Sequence, residues 1–151
     1  MDNLHKFLAL TAYSEGTSTS AITQDDGYDI IVSGVDGPER TSDYSQHPFA
    51  NRAAKLVKPG LYSTAAGRYQ ILFRFWKVYQ RQLGLPDFNH DSQDAVAIQM
   101  IRERKALPLI ESGHIEQAIS ACANIWASFP GNDYQQNAHS IEKLMQHWAA
   151  L

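Results

Sequence analysis

The stretch Asn3-Leu4-His5-Lys6-Phe7-Leu8-Ala9-Leu10-Thr11-Ala12-Tyr13-Ser14-Glu15-Gly16 decides how this chain is read. Leu8, Phe7 and Leu4 precede Glu15 by seven, eight and eleven positions, offsets that put Glu15 on the apolar stripe of one helix. Gly16 suits the left-handed residue that ends a helix. A carboxylate at that end meets the negative pole of the helix dipole, and partial burial disfavours its charged form. Both effects raise its pKa toward that of a proton donor at neutral pH. An ordinary last-turn glutamate facing water is the plainer reading of the same pattern. Glu15 is therefore the first candidate catalytic residue, with the rest of the chain to weigh it.

A length of 151 residues fits one domain, taken as 1–151, able to bury roughly 68–70% of its unfolded surface without disulfides or metal. With 44% hydrophobic and 19% charged residues, the composition is that of a folded globular protein. A net charge of −3 without long single-sign runs argues against nucleic-acid binding and offers no general attraction to an anionic wall polymer. Cys122 is the only cysteine and lies in a small-residue apolar stretch, so it reads as a buried thiol. The first residues lack the pattern of a signal peptide, and no apolar run approaches the ~18 residues of a membrane span. The expectation is a soluble chain held in the cytoplasm at first, without membrane insertion.

Residues 4–15 are predicted as the first helix and 17–26 as loop. Residues 28–32 read as a strand, 32–38 as its hairpin turn, and 40–45 as a second, weaker strand. The segment 46–60 reads as irregular with one helical turn. Helices are predicted at 70–83, 92–105 with Asp91 as cap, 107–111, 115–126 and 140–149. The helix at 92–105 is apolar around most of its circumference and is expected to be central and buried. Early strands followed by helices make the class α+β, mostly helical with a small β-hairpin lobe.

Two strings carry polar chemistry beside small residues. In Ser63-Thr64-Ala65-Ala66-Gly67-Arg68-Tyr69-Gln70, small residues let the backbone approach a ligand, while Arg68, Tyr69 and Gln70 supply fork, ring and amide. That mix suits a sugar; Ser63 as the cap of a helix is a compatible structural reading. In Asn124-Ile125-Trp126-Ala127-Ser128-Phe129-Pro130-Gly131, Trp126 beside a Pro-Gly turn forms a rigid lip or a core aromatic. Tyr134, in the polar loop beyond, is placed to stack on a ligand. The six histidines are scattered with no metal-ligand spacing, and no phosphate loop or serine elbow is present. No metal and no cofactor are expected.

Seven strings occur in one order. They are Tyr13-Ser14-Glu15-Gly16, Gly27-Tyr28-Asp29 with three apolar residues, Asp43-Tyr44-Ser45-Gln46-His47-Pro48, the Ser63 to Gln70 string, Gln82-Leu83-Gly84-Leu85, Ser92-Gln93-Asp94-Ala95-Val96-Ala97, and Asn124 to Gly131. Together the sequence resembles the lambda-type phage endolysins over about Phe7 to Tyr134, although Ala65 stands where the pattern has a glycine. The resemblance implies a lysozyme-like fold with a substrate groove between lobes, its lips at 44–60 and 129–137. It implies a peptidoglycan lytic transglycosylase for host cell lysis, with Glu15 as catalytic acid and Ser63, Gly67, Arg68, Tyr69, Gln70, Trp126 and Tyr134 as substrate-binding residues. Tyr69 and Gln70 would orient the sugar or the Glu15 carboxyl, and Ser63 would support that acid. The implied partners are the peptidoglycan glycan strand and a separate holin that opens the way from the cytoplasm to the periplasm; a monomer is the default.

Hydrolysis needs two carboxylates, about 5–5.5 Å apart if retaining or about 6.5–9.5 Å if inverting. The candidates for the second are Asp25, Asp26, Asp29, Asp36 and Asp43, none in a pattern that demands burial beside Glu15. A transglycosylase needs one acid. The alternatives are a hydrolytic muramidase using one of these aspartates and a wall-binding module without activity.

Overall fold

The computed structural model describes residues 1–131 and 139–151. The chain forms two compact units: Met1–Glu15 with Ala97–Leu151, and Gly16–Val96. The class is α+β, with helices and, among the described residues, two small antiparallel sheets.

The first unit is helical. Helix α1 spans Asn3–Glu15 and buries Phe7, Leu8, Leu10, Thr11 and Ala12 along the stripe read from the sequence. Each large apolar side chain buried there contributes about 2 kcal/mol. Ile110 and Leu144, from α4 (Leu107–Glu111) and α6 (Ile141–Ala150), are fully buried, and both helices pack on α1. The Asn3 side-chain amide donates to the Ile110 carbonyl at 3.1 Å. Phe7 meets Phe129 edge to face, with ring centres 5.9 Å apart. Helix α5 covers Ile115–Cys122, ending short of the predicted 126 because residues 123–129 continue as turns. Cys122 is fully buried, and desolvation pushes its thiol up to about 12, as an inert interior thiol requires. Ser140 caps α6, its hydroxyl accepting from the Lys143 N–H at 3.2 Å.

The second unit holds both hairpins. Strands β1 (Ile30–Gly34) and β2 (Gly37–Arg40) pair across a two-residue turn at Val35 and Asp36. The tight turn starts the second strand three residues before the predicted 40. Strands β3 (Lys55–Lys58) and β4 (Leu61–Ser63) form a second hairpin about Pro59-Gly60, inside and just beyond a segment read as irregular. The one helical turn expected there is a 3-10 turn at Pro48–Ala50. Helix α2 covers Phe73–Leu83, starting later than the predicted 70. Gln70 has φ +51°, Ile71 pairs with Ala66, and Leu72 is extended, so none of the three can be helical.

Helix α3 (His90–Glu103) begins in the second unit and ends in the first. Asp91 is in its first turn rather than at its cap. The helix buries one face, Ser92, Gln93, Val96, Ala97 and Ile101, while Ile98 and Met100 are half-buried. It is amphipathic, not buried all round. In the second unit His47, Trp76 and Phe88 are fully buried and in ring contact, with Phe49 and Phe73 against His47. No described helix is long and apolar enough to cross a membrane.

Candidate active site

Glu15 is the last residue of α1, and Gly16 follows with φ +76°. A Cβ at Gly16 would meet nothing within 4 Å, so the glycine is needed for backbone conformation alone. Glu15 is half-buried. Desolvation pushes its carboxyl from the usual 4.5 up to about 7, partly offset by a hydrogen bond from the Ser128 hydroxyl. The plainer reading of a solvated last-turn glutamate fails on that burial.

Ser128 is itself held. The Ser14 hydroxyl donates to Ser128 Oγ at 2.8 Å, which leaves the Ser128 proton for Glu15. The backbone carbonyl of Ser128 accepts from the His139 N–H at 2.9 Å. His139 Nε2 lies 2.9 Å from the Ser14 carbonyl, which can only accept, so Nε2 carries the proton. That bond satisfies one of the free carbonyls in the last turn of α1. The ring of Tyr13 stacks on His139 and, at 3.8 Å between centres, on His147. Residues 13–15, 128 and 139 thus form one interlocked group around the acid. The resemblance implies Ser63 as the hydroxyl that supports the acid, but the hydroxyl that donates to Glu15 is that of Ser128. The Ser63 hydroxyl instead accepts from the Ala65 N–H at 3.1 Å. Ser128 lies within the Asn124 to Gly131 string, but nothing there ties its hydroxyl to Glu15, and His139 carries no signal at all.

The other candidates divide by burial. Trp126 is 1% exposed and meets Phe129 edge to face, so it is a core aromatic of the first unit rather than a lip. Ser63, Gly67, Arg68, Tyr69 and Gln70 all belong to the second unit. Tyr69 is fully buried, and its hydroxyl donates to Asp94 at 2.6 Å and accepts from Arg68 Nη1 at 3.0 Å. Burial, above all, pushes its phenol well above the ordinary value. Arg68 is also buried and holds the Asp26 turn, where φ is +51°, through the Asp26 carbonyl at 3.0 Å and carboxylate at 3.2 Å. A Cβ on Gly67 (φ +84°) would stand 2.4 Å from Gln93 Oε1, the atom that accepts the Arg68 N–H. Gly67, Arg68 and Tyr69 are therefore supports of the loop. Ser63 and Gln70 keep partial exposure. The Gln70 side chain donates to the Gly67 carbonyl at 2.9 Å and holds its own left-handed backbone in place. Tyr134 and most of the expected lip at 129–137 lie outside the described residues.

The five aspartates weighed as second carboxylates each have local partners. Asp25 is held by Tyr44 and by His90 at 2.6 Å; these bonds outweigh desolvation and keep it below the usual range. Asp29 accepts from Thr23 at 2.5 Å and the Gln24 N–H at 2.9 Å. Asp26 faces Arg68, Asp36 lies 3.3 Å from Lys55, and Asp43 accepts the Ser45 N–H at 2.9 Å. No group of metal-ligating side chains occurs among the described residues.

The family described as Endolysin matches residues 5–151. The endolysin of Escherichia phage P2 is 55% identical over 149 residues, covering 97% of this chain and 90% of that protein. The endolysin of Escherichia phage lambda is 51% identical over 140 residues, covering 92% and 84%. Bacteriophage lambda lysozyme solved in complex with a chitohexasaccharide superposes with a TM-score of 0.90 at 48% identity, covering 99% of this chain and 94% of that one. A second structure of lysozyme from bacteriophage lambda gives 0.86 at 46% identity, with the same coverage. The acid-ended first helix, the two hairpins and the order of the seven strings have their explanation in that kinship: the chain belongs to the endolysin family.

Proposed function

We propose that this chain is one catalytic domain that cleaves peptidoglycan as a lytic transglycosylase, with Glu15 as its single acid and base. The observation that carries the reading is a half-buried carboxyl titrating at about 7 and held by a hydroxyl. Such a group is about half protonated at neutral pH, so it can give a proton and take one back. Glu15 protonates the glycosidic oxygen between N-acetylmuramic acid and N-acetylglucosamine, and the bond from that oxygen to the anomeric carbon breaks. The ionised Glu15 then takes the proton of the muramic C6 hydroxyl, whose oxygen bonds to the same anomeric carbon. The product is a 1,6-anhydro ring, no water is added, and Glu15 ends as it began. An intramolecular nucleophile has a high effective concentration, which favours it over water.

Two further facts support the reading. Every aspartate weighed as a helper is tied to partners of its own in the second unit. The chitohexasaccharide bound to the lambda relative supports a glycan-chain substrate. Ser63 and Gln70, the half-exposed residues among the candidates of that string, are the ones we assign to sugar contact, with Tyr134 as a stacking partner; Gly67, Arg68, Tyr69 and Trp126 hold the framework. The enzyme acts as a monomer and reaches the periplasm from the host cytoplasm through a membrane opened by a holin.

Digestion of purified sacculi followed by mass analysis of the products tests this. Anhydro-muropeptides, one water lighter than reducing ends, are the expected result. Products with reducing ends would establish hydrolysis, the reading that the name lysozyme of the solved relatives favours. Release of no soluble fragments would leave only a wall-binding module.

A further inference from the structure

Helix α2 buries little of its circumference. Trp76 is its one fully buried side chain. At about 100° per residue, Lys77, Arg81 and Arg74 fall within an arc of roughly 60° on the side away from Trp76. Val78 lies about 40° beyond Arg74, and Phe75 about 60° beyond Val78. All five are exposed, Phe75 at 43% and Val78 at 58%. The helix contains no acidic residue, in a chain whose net charge is −3. Among the described residues none of the three cations forms an ion pair. The Arg74 guanidinium lies over the Phe75 ring at 4.8 Å, which fixes positive charge beside exposed apolar surface.

We propose that this face of α2 docks on an anionic phospholipid bilayer, lying on the headgroup layer without crossing it. The cations alone would suit any polyanion. Charge complementarity combined with two exposed apolar side chains alongside selects a lipid interface, where the headgroups take the charges and the upper acyl region takes Phe75 and Val78. Three cations near such a surface raise partitioning by a factor on the order of a hundred at low salt, and salt screens that gain. The proposal does not depend on the reaction at Glu15.

Co-sedimentation with vesicles tests it, comparing phosphatidylglycerol–phosphatidylcholine mixtures with pure phosphatidylcholine. Binding to the anionic vesicles only, weakened by salt, is expected. The triple variant Arg74→Glu, Lys77→Glu, Arg81→Glu should lose that binding by roughly a hundredfold and still digest sacculi. Phe75→Ser with Val78→Ser should weaken binding that remains salt-sensitive, and it serves should the triple variant fail to fold. With Val78→Trp, indole emission should shift to the blue on adding anionic vesicles. Absent binding to anionic vesicles, equal binding to neutral ones, or wild-type binding by the triple variant would each overturn the proposal. So would loss of binding to isolated sacculi alone, which would make the wall polymer the partner.

Discussion

Glu15 and the aspartates of residues 16–96 carry the same functional group in two opposite settings. Asp25, Asp29 and Asp94 each accept two or more hydrogen bonds from side chains or backbone. Glu39 accepts from Arg52 and Lys55, which hold it below the usual range against its own desolvation. Glu15 is half-buried, less so than Asp29, but among the described residues only the Ser128 hydroxyl offsets its desolvation. A carboxylate that is fully bonded fixes a loop, and such bonding holds Asp25 and Glu39 below the usual range. One that is desolvated and underbonded titrates near neutrality, and only that one is suited to move protons.

The comparison breaks most directly on activity. Glu15→Gln should lower the rate of sacculus lysis by about 10²–10⁴-fold, the range for loss of a general acid, with the fold retained. Asp25→Asn, Asp26→Asn, Asp29→Asn, Asp36→Asn and Asp43→Asn, made singly, should act through stability instead. Lysis rates measured beside thermal melts separate the two effects. An aspartate variant as inactive as Glu15→Gln, with an unchanged melting temperature, would end the single-acid account.

The pH dependence of stability sharpens the contrast. Burial of Glu15 favours its neutral form, so the stability it permits is complete below about 4.5 and is lost as pH rises through about 7. Burial of His47 also favours the neutral form and moves the imidazole from 6.5 down to about 4, while Nδ1 accepts from the Phe49 N–H at 3.1 Å. Its contribution is complete above about 6.5 and is lost as pH falls through about 4. Each effect is at most about 3 kcal/mol, and they oppose one another between pH 4.5 and 6.5. Urea unfolding across that window should show Glu15→Gln gaining stability more steeply with rising pH than the wild type. His47→Gln should tilt the other way. Parallel slopes in all three proteins would show that neither group is held neutral by the fold.

Two glycines separate conformation from contact. Gly16→Ala meets only the left-handed backbone and should cost about 1 kcal/mol. Gly67→Ala adds a Cβ 2.4 Å from Gln93 Oε1 and should cost about 2–3 kcal/mol, because Gln93 also holds the Arg68, Tyr28 and Phe88 backbone. Chemical denaturation of both variants reads the difference, and equal losses would remove the contact argument.

What the sequence made legible follows the same division. The apolar stripe of α1, its glycine stop and the small-residue stretch around Cys122 are local patterns, and each appears in the fold as read. The hairpin at 55–63 was hidden because Lys55-Leu56-Val57-Lys58 is short and alternates weakly, leaving Pro59-Gly60 as its one strong signal. Arg68 and Tyr69 looked like ligand groups because residue type does not reveal burial. Their partners, Asp26 and Asp94, lie 42 and 25 positions away in the chain. Ser128 reaches Glu15 from over a hundred residues away, and no periodicity within α1 encodes it.

That long-range hydroxyl gives the smallest expected effect and the finest test. The bond from Ser128 stabilises the Glu15 carboxylate, so Ser128→Ala should raise the pKa further above 7. The proposed mechanism uses the protonated acid at its first step, so the alkaline limb of the pH–activity profile should move upward by up to about one unit, or roughly 1.4 kcal/mol. Ser14→Ala leaves Ser128 in place but frees its hydroxyl to turn, since the 2.8 Å bond that orients it is gone, and the shift should be smaller in the same direction. Ser128→Thr keeps the donor and should restore the wild-type limb. A purely structural role for Ser128 would lower the rate at every pH and leave the limb where it was; a limb displaced downward would mean that Ser128 does not favour the carboxylate at all.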